Sequence, residues 1–133
     1  MLERVRRNIS SQEQPSRKKI LILDDEPYNI EVLKSILSVL NLRDFPDSID
    51  CCFDARKALI LVRDSMYLDP VSGMFESNYA LILSDLNMPI MDGYTFAKRV
   101  KSLFSEFKIQ NQPNLVAITG NVEYSYLKRC FDC

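Results

Sequence analysis

Polar side chains that could do chemistry follow three apolar segments of this chain, each where the segment ends. Asp24 and Asp25 follow the first segment, Asp85 closes another, and Thr119 closes the last one. Crowded carboxylates repel one another unless a cation or a proton lies between them. Carboxylate oxygens are the ligands that Mg²⁺ prefers. If these segments are neighbouring strands, the pattern predicts a magnesium site.

Composition excludes several other kinds of chemistry. The chain has no histidine, which rules out Ser-His-Asp and Cys-His catalysis and histidine-metal sites. Its formal net charge of -1 argues against nucleic-acid binding, for which a basic excess is typical. No apolar run approaches the roughly 20 residues needed to span a bilayer. We interpret the terminal C-x-x-C of Cys130 and Cys133 as ordinary thiols in a reducing compartment.

Apolar segments alternate with amphipathic ones, which predicts four strand–helix units. The strands are predicted at residues 20–23, 49–53, 79–85 and 115–118. Apolar residues three and four apart follow each strand, as Ile30, Leu33 and Leu37 do after the first, and this spacing is typical of amphipathic helices. The segment Ser65–Asn78 contains Pro70 and a glycine and is predicted to be a long loop. The last strand, like the first, is predicted to be buried.

Strict alternation of strands and helices predicts a parallel sheet with right-handed crossovers and helices on both faces. The carboxyl ends of parallel strands meet at one edge, where the sites of open α/β sheets lie. The three polar ends described above are therefore expected at one crevice. Each of them alone has an ordinary explanation as a helix cap or a strand-end side chain, and only their convergence indicates a site.

Three motifs of the chain match one family. They are Asp24-Asp25 after the first strand, Asp85-Leu86-Asn87-Met88-Pro89-Ile90-Met91-Asp92-Gly93, and Ile118-Thr119-Gly120. Together they resemble the receiver domain of two-component response regulators. The resemblance implies a flavodoxin-like, doubly wound α/β fold with strand order 2-1-3-4-5. It assigns residues 19–133 to the receiver domain and leaves residues 1–18 as a flexible linker.

The resemblance also implies a role for each converging residue. Asp85 would accept a phosphoryl group from a phosphohistidine on a histidine kinase or a histidine phosphotransfer protein, giving an aspartyl phosphate. Asp24, Asp25, Asp85 and the backbone carbonyl of Asn87 would bind Mg²⁺. Thr119 would donate its hydroxyl to the phosphate and switch the surface of the fourth helix.

Further expectations follow from the same resemblance. Asn87, Gly120 and Asn121 would flank the phosphate and tune its lifetime. The chain would be a cytoplasmic signalling module of a phosphorelay rather than an enzyme, with no nucleic-acid or membrane contact. The charged N-terminal linker suggests the C-terminal receiver of a hybrid histidine kinase, and a stand-alone regulator fits nearly as well.

One departure from the family pattern concerns the end of the chain. Receiver domains have a fifth strand that ends in a lysine, and then a fifth helix, whereas this sequence stops at Cys133. We therefore expect the sequence to be a fragment. Two other interpretations remain. A non-catalytic interaction module is favoured by the missing lysine, although the intact acids argue against it. A phosphatase-type hydrolase would need a second acid two positions after Asp85, where the chain has Asn87.

Overall fold

The computed structural model of the chain describes residues 18–40 and 49–118. Its elements follow one another in the order β1 (Lys19–Leu23), α1 (Pro27–Val39), β2 (Ile49–Cys52), α2 (Ala55–Asp64), β3 (Met66–Leu68), β4 (Phe75–Ser77), β5 (Tyr79–Asp85), α3 (Gly93–Phe107) and β6 (Asn114–Ile118). The predicted linker (residues 1–18), apart from Lys18, and the predicted fourth helix lie outside the described residues. The proposed domain boundaries therefore stay predictions.

The main sheet has four strands in the order β2-β1-β5-β6, and all of its pairs are parallel. Because β5 and β6 are the third and fourth strands that the sequence predicts, this order is the expected 2-1-3-4. The flavodoxin-like, doubly wound α/β fold is confirmed. β1 and β5 lie side by side at its centre, which brings their carboxyl ends together.

Alternating side chains of the central strands pack on helices at both faces. Leu21 and Leu23 belong to one buried cluster, which also contains the apolar faces of α2 and α3. Ile22 belongs to a second cluster, where Ile30 and Leu37 of α1 cover the opposite face. This arrangement follows from the period of two along a strand, which sends neighbouring side chains to opposite faces.

Aspartates cap two of the helices, as polar N-cap residues are expected to do. The side chain of Asp54 accepts the backbone N–H of Arg56 at 2.8 Å and starts α2. The side chain of Asp92 accepts the N–H of Thr95 at 2.8 Å and starts α3. In the described part of the chain, no helix is both long and apolar enough to cross a membrane.

The prediction of a loop at residues 65–78 is wrong. This segment forms an antiparallel hairpin of β3 and β4. Its turn is closed by Asp69, whose side chain accepts the N–H groups of Val71 and Ser72 at 3.2 and 3.3 Å. Gly73 has φ of 72°, a conformation that glycine adopts without a steric penalty. The proline and glycine that suggested a loop are instead the residues of a tight turn between two short strands.

Tertiary contacts hold this hairpin on the domain. Met66 is fully buried, and the ring of Phe75 packs edge-to-face on Phe107 of α3 with centroids 5.6 Å apart. Glu76 accepts a hydrogen bond from the side chain of Asn111 at 3.1 Å. These partners lie far away in sequence, so a local pattern could not reveal them.

The prediction that the last strand is buried is also wrong for the described residues. Within that part of the chain β6 pairs only with β5 and forms the outer strand of the sheet. Val116 is consequently 44% exposed. Its apolar run resembles that of β1, but burial depends on what lies beside a strand, and the run of residue types does not encode that.

Candidate magnesium and phosphate site

The three acids singled out in the sequence meet at the carboxyl edge of the sheet. One carboxylate oxygen from each of Asp24, Asp25 and Asp85 lies within 4.8 Å of the others. The three acids lie close together because of the strand register, in which Leu23 at the end of β1 lies opposite Ser84 of β5. The residues that follow this pair are therefore neighbours in space, although about sixty positions separate them in the chain.

Asp24 is the most deeply placed acid of the cluster, with 4% of its surface exposed. Its Oδ1 accepts the backbone N–H of Glu26 at 2.9 Å. Its own N–H donates to the carbonyl of Cys52 on β2 at 3.1 Å. A buried carboxylate needs such partners, and they hold this one in a fixed orientation. Asp25 beside it is exposed to solvent.

Asp85 is half-buried, and its environment disfavours the charged carboxylate. Burial is the largest cause that raises its pKa above the ordinary value, and the charges of Asp24 and Asp25 raise the pKa further. The backbone N–H of Asn87, which donates to Oδ1 at 3.3 Å, acts in the opposite direction. The net effect is a pKa of Asp85 above its ordinary value.

The donor set fits a hard divalent cation. Three carboxylates can place oxygen atoms around one point, and a cation there would remove their mutual repulsion. Mg²⁺ suits such a site because it keeps water or phosphate oxygens at its remaining positions. Asn87 follows Asp85 closely enough for its backbone to belong to the same site, and the role of its carbonyl stays a prediction.

The loop between β5 and α3 is anchored by two buried methionines, Met88 and Met91. Between them, Ile90 has φ of 72°, and the N–H of Met91 donates to the carbonyl of Pro89 at 2.8 Å. The sequence motif is thus a tightly folded turn whose apolar members fix it to the core. It holds the end of β5 in place beside the acids.

Gly93 is a site residue whose function the sequence analysis did not recognise. Its N–H donates to the carbonyl of Leu86 at 3.1 Å, and a Cβ at this position would overlap the backbone of Asp85 and Leu86. Glycine alone permits this approach of α3 to β5. The signal in the sequence is a glycine directly after Asp92, the N-cap of α3.

Three other predicted site residues cannot be placed. Thr119, Gly120 and Asn121 lie outside the described residues. The end of β6 at Ile118 lies opposite Asp85 in the register of the two strands. The predicted roles of the three residues stay predictions.

Comparison with known proteins supports this architecture. No family model matches the chain. It is 27% identical over 130 residues to hybrid signal transduction histidine kinase L of Dictyostelium discoideum, a match that covers 96% of this chain and 7% of that protein. The chain therefore spans a small part of this relative.

Two solved structures share the fold. The receiver domain of the histidine kinase CKI1 from Arabidopsis thaliana, complexed with Mg²⁺, has a TM-score of 0.70 at 19% identity, over 86% of this chain and 77% of that one. The complex of the Saccharomyces cerevisiae histidine phosphotransfer protein Ypd1 with the receiver domain of Ssk1 matches with a TM-score of 0.63 at 18% identity, over 90% of this chain and 74% of that one.

The fold and the acid cluster define a class, namely parallel α/β domains with a carboxylate site at the strand ends. Within that class the sequence and structure matches agree: the curated relatives are proteins of two-component signalling, and the chain has the fold of a response-regulator receiver domain.

Proposed function

We propose that this chain is the phosphoacceptor domain of a phosphorelay and that Asp85 is the residue that receives the phosphoryl group. The observation that carries the proposal is the cluster in which Asp85 lies within 4.8 Å of two further carboxylates. Asp24 and Asp25 would hold Mg²⁺ together with Asp85, and the carbonyl of Asn87 would complete the protein ligands. When bound, the ion would supply charge neutralisation for the incoming phosphoryl oxygens.

The transfer itself is an in-line displacement at phosphorus. One oxygen of the Asp85 carboxylate forms a bond to phosphorus while the bond from phosphorus to the donor imidazole nitrogen breaks. The nitrogen keeps the electron pair and is neutralised by a proton. A carboxylate is a weak nucleophile, so positioning supplies most of the catalysis.

The partner that this chemistry requires is a protein with a phosphorylated histidine, either a histidine kinase or a histidine phosphotransfer protein. After transfer, the hydroxyl of Thr119 would donate to a phosphate oxygen and change the surface of the helix that follows. Asn87, Gly120 and Asn121 would set the lifetime of the phosphate. This role is that of a signalling module in the cytoplasm, and the chain would not turn over a small substrate.

The test is labelling with acetyl phosphate and Mg²⁺, beside the variant Asp85→Asn. We expect label that is stable in acid and labile in base, and its loss in the variant. Asp64→Asn, which removes an exposed acid of α2 that is not part of the cluster, should label like the wild type. Absence of label from the wild-type chain would contradict the phosphoacceptor role and favour the non-catalytic interaction module. Equal label in Asp85→Asn would assign the phosphate to another residue.

A further inference from the structure

The hairpin of β3 and β4 lies at the amino edge of the main sheet, on the opposite side from the acid cluster. It directly precedes β5, and the backbone N–H of Lys19 at the start of β1 donates to the carbonyl of Asn78 at 2.7 Å. The hairpin therefore lies beside the point where the chain enters β1. The proposed phosphoacceptor role uses only the other edge of the sheet.

Three large apolar side chains are exposed at the end of this hairpin. Leu68, Val71 and Met74 are 39%, 93% and 38% exposed, and we refer to these three residues as the hairpin tip. The backbone N–H of Asp69 donates to the carbonyl of Met74 at 2.9 Å, which keeps them within one turn. Turns usually carry glycine, proline, asparagine, aspartate or serine. Exposed apolar side chains that gather in such a place are typical of a contact surface.

The charged side chains of the hairpin are all negative. Residues 65–78 contain Asp69 and Glu76 and have no lysine or arginine. Among the described residues, Glu76 has its ion pair with Lys18, whose Nζ lies 4.0 Å from Oε2. An ion pair of this length contributes little. The surface around the hairpin therefore favours further positive charge.

A buried acceptor at the base of the hairpin lacks a donor. The Oδ1 of Asn78 is buried and has no hydrogen-bond partner among the described residues. Buried polar atoms are almost always paired, because an unpaired one costs free energy. Asn78 lies beside Lys19, one of the first residues that the structure describes. Residues 1–17 join the domain at this point, so they are the nearest source of a donor along the chain.

The sequence that precedes β1 complements the hairpin in charge and in polarity. Residues 1–17 contain four arginines and two glutamates, which gives them a net positive charge. Leu2, Val5 and Ile9 follow one another at spacings of three and four. This spacing places apolar side chains on one face of an amphipathic helix. The sequence therefore predicts a segment with an apolar face and basic flanks.

The segment is long enough to reach the hairpin tip. Nine positions separate Ile9 from Lys18, and an extended chain of that length spans up to about 30 Å. The strands of the hairpin have three residues each, which corresponds to about 10 Å. Three side chains are a small surface for a separate protein, since stable interfaces bury about 800 Å² on each partner. A tethered segment docks on less, because its effective concentration is high.

We propose that the hairpin tip is an intramolecular docking surface for residues 2–9 of this chain. Leu2, Val5 and Ile9 pack on the hairpin tip, and the arginines between them lie near the negative charge of the hairpin. Docking fixes the direction in which the chain enters β1. The segment then acts as a positioned arm rather than as the flexible linker that the resemblance implied. This inference is independent of the proposed function, because the hairpin lies at the edge away from the acids.

The test measures how fast trypsin cleaves after Arg4 in the full chain, with mass spectrometry as the readout. A synthetic peptide of residues 1–17 gives the cleavage rate of the undocked sequence. Val71→Ser removes an apolar group from the hairpin tip, and Ile9→Ser removes one from the segment. Val39→Ser at the end of α1 is the matched control, since Val71 and Val39 are 93% and 83% exposed.

We expect the wild-type chain to be cleaved about tenfold more slowly than the peptide, because cleavage follows the population of the open form. Val71→Ser and Ile9→Ser should each raise the rate by about fivefold for the same reason. The double variant should exceed the faster single variant by less than about twofold, because the two side chains belong to one contact. Val39→Ser should match the wild type, and circular dichroism should show the same fold in all variants.

Salt provides a second measurement on the wild-type chain. High salt screens the attraction between the arginines of the segment and the acids of the hairpin. The cleavage rate of the wild-type chain should therefore approach that of the peptide as the salt concentration rises, with the peptide measured at each salt concentration as the reference.

Four results would overturn the docking surface. The first is a wild-type chain that is cleaved as fast as the peptide. The second is equal acceleration by Val39→Ser, because the effect would not be local. The third is a double variant in which the effects of Val71→Ser and Ile9→Ser multiply, because the two side chains would then act separately. The fourth is protection that grows with protein concentration, which would assign the hairpin tip to a contact between two copies. Labelling of Asp85 is unaffected by each of these results, so the proposed function is tested separately.

Discussion

Gly93 lies so close to Asp85 that a Cβ at position 93 would overlap the carbonyl oxygen of Asp85. The same glycine donates its N–H to the carbonyl of Leu86 at 3.1 Å. The first turn of α3 is thus in direct contact with the end of β5. The position of Asp85, the proposed phosphoacceptor, therefore depends on a helix that begins eight residues later in the chain.

Gly93→Ala should therefore destabilise the fold, although a glycine-to-alanine change in a helix ordinarily stabilises by roughly 0.5–1 kcal/mol. The added methyl group must push α3 away from β5, and overpacking of this kind costs about 1–3 kcal/mol. Urea unfolding measures the change. Because this movement changes the contact between α3 and the end of β5, it should also slow labelling of Asp85 by acetyl phosphate.

Ser102→Ala on the exposed face of α3 is the control for helix propensity, and it should raise the unfolding midpoint slightly, because alanine has the higher helix propensity. A Gly93→Ala protein as stable as the wild type would show that α3 can move without cost. The close approach would then not determine where Asp85 lies.

Mg²⁺ should raise the melting temperature of the wild-type chain, because an ion that binds only the folded state stabilises it by mass action. Asp25→Asn removes an exposed carboxylate of the proposed metal site without disturbing the core, so the variant should fold normally. It should need at least about tenfold more Mg²⁺ for the same shift. Thermal melts across a magnesium titration measure this effect. Asp64→Asn should respond like the wild type, and equal responses of all three proteins would contradict the metal site.

The hydroxyl of Tyr79 donates to Oδ2 of Asp50 at 2.6 Å and ties β5 to β2 across the intervening β1. Tyr79→Phe should lower the free energy of unfolding by about 1–2 kcal/mol, since the ring stays buried while the hydrogen bond is lost. Tyr28→Phe removes the same atom from an exposed ring and should have almost no effect on stability. Equal unfolding midpoints for the wild type and Tyr79→Phe would contradict a stabilising bond.

The contribution of Tyr79 should also depend on pH. Burial is the largest cause that raises the pKa of the Tyr79 hydroxyl, and the hydrogen bond to Asp50 is the second. A group with a raised folded-state pKa stabilises the fold fully below its unfolded pKa, which is about 10 for tyrosine, and loses that contribution as the pH rises further. The stability difference between the wild type and Tyr79→Phe should therefore be constant up to about pH 9 and narrow above about pH 10. A stability difference between the wild type and Tyr79→Phe that widens in alkali would contradict a raised pKa of the Tyr79 hydroxyl.

Gly73 is required for a different reason than Gly93. A Cβ at Gly73 would meet no atom within 4 Å, but the φ of 72° disfavours other residues. Gly73→Ala should cost about 1 kcal/mol, the usual penalty of the left-handed conformation. Gly73→Asn should cost less, because asparagine tolerates that conformation. Chemical unfolding gives the free energies of unfolding of both variants. A larger loss of stability in Gly73→Asn than in Gly73→Ala would indicate crowding by the side chain rather than backbone strain.

The regular elements of the main sheet could be predicted because their signals are local. The apolar run Ile20–Leu23 indicates a buried parallel strand, and the two acids that follow it mark the edge of the sheet where the strand ends. Each of these signals lies within a few residues of sequence. The hairpin at 65–78 could not be predicted in the same way. Its strands are three residues long, and they are held by Phe107 and Asn111, which lie more than thirty positions away.

The residue pattern alone predicted the strands of the main sheet, their parallel arrangement and the three acids at its edge, because strand–helix alternation leaves few topologies for such a chain. The tertiary structure alone shows which backbone N–H groups bond to Asp24 and Asp85. It also shows how closely Gly93 approaches Asp85, and that the outer face of α1 carries exposed apolar side chains. These properties depend on distances between residues that are remote in the chain. Local residue patterns indicate which elements form, whereas burial and contact distances arise only when the elements pack together.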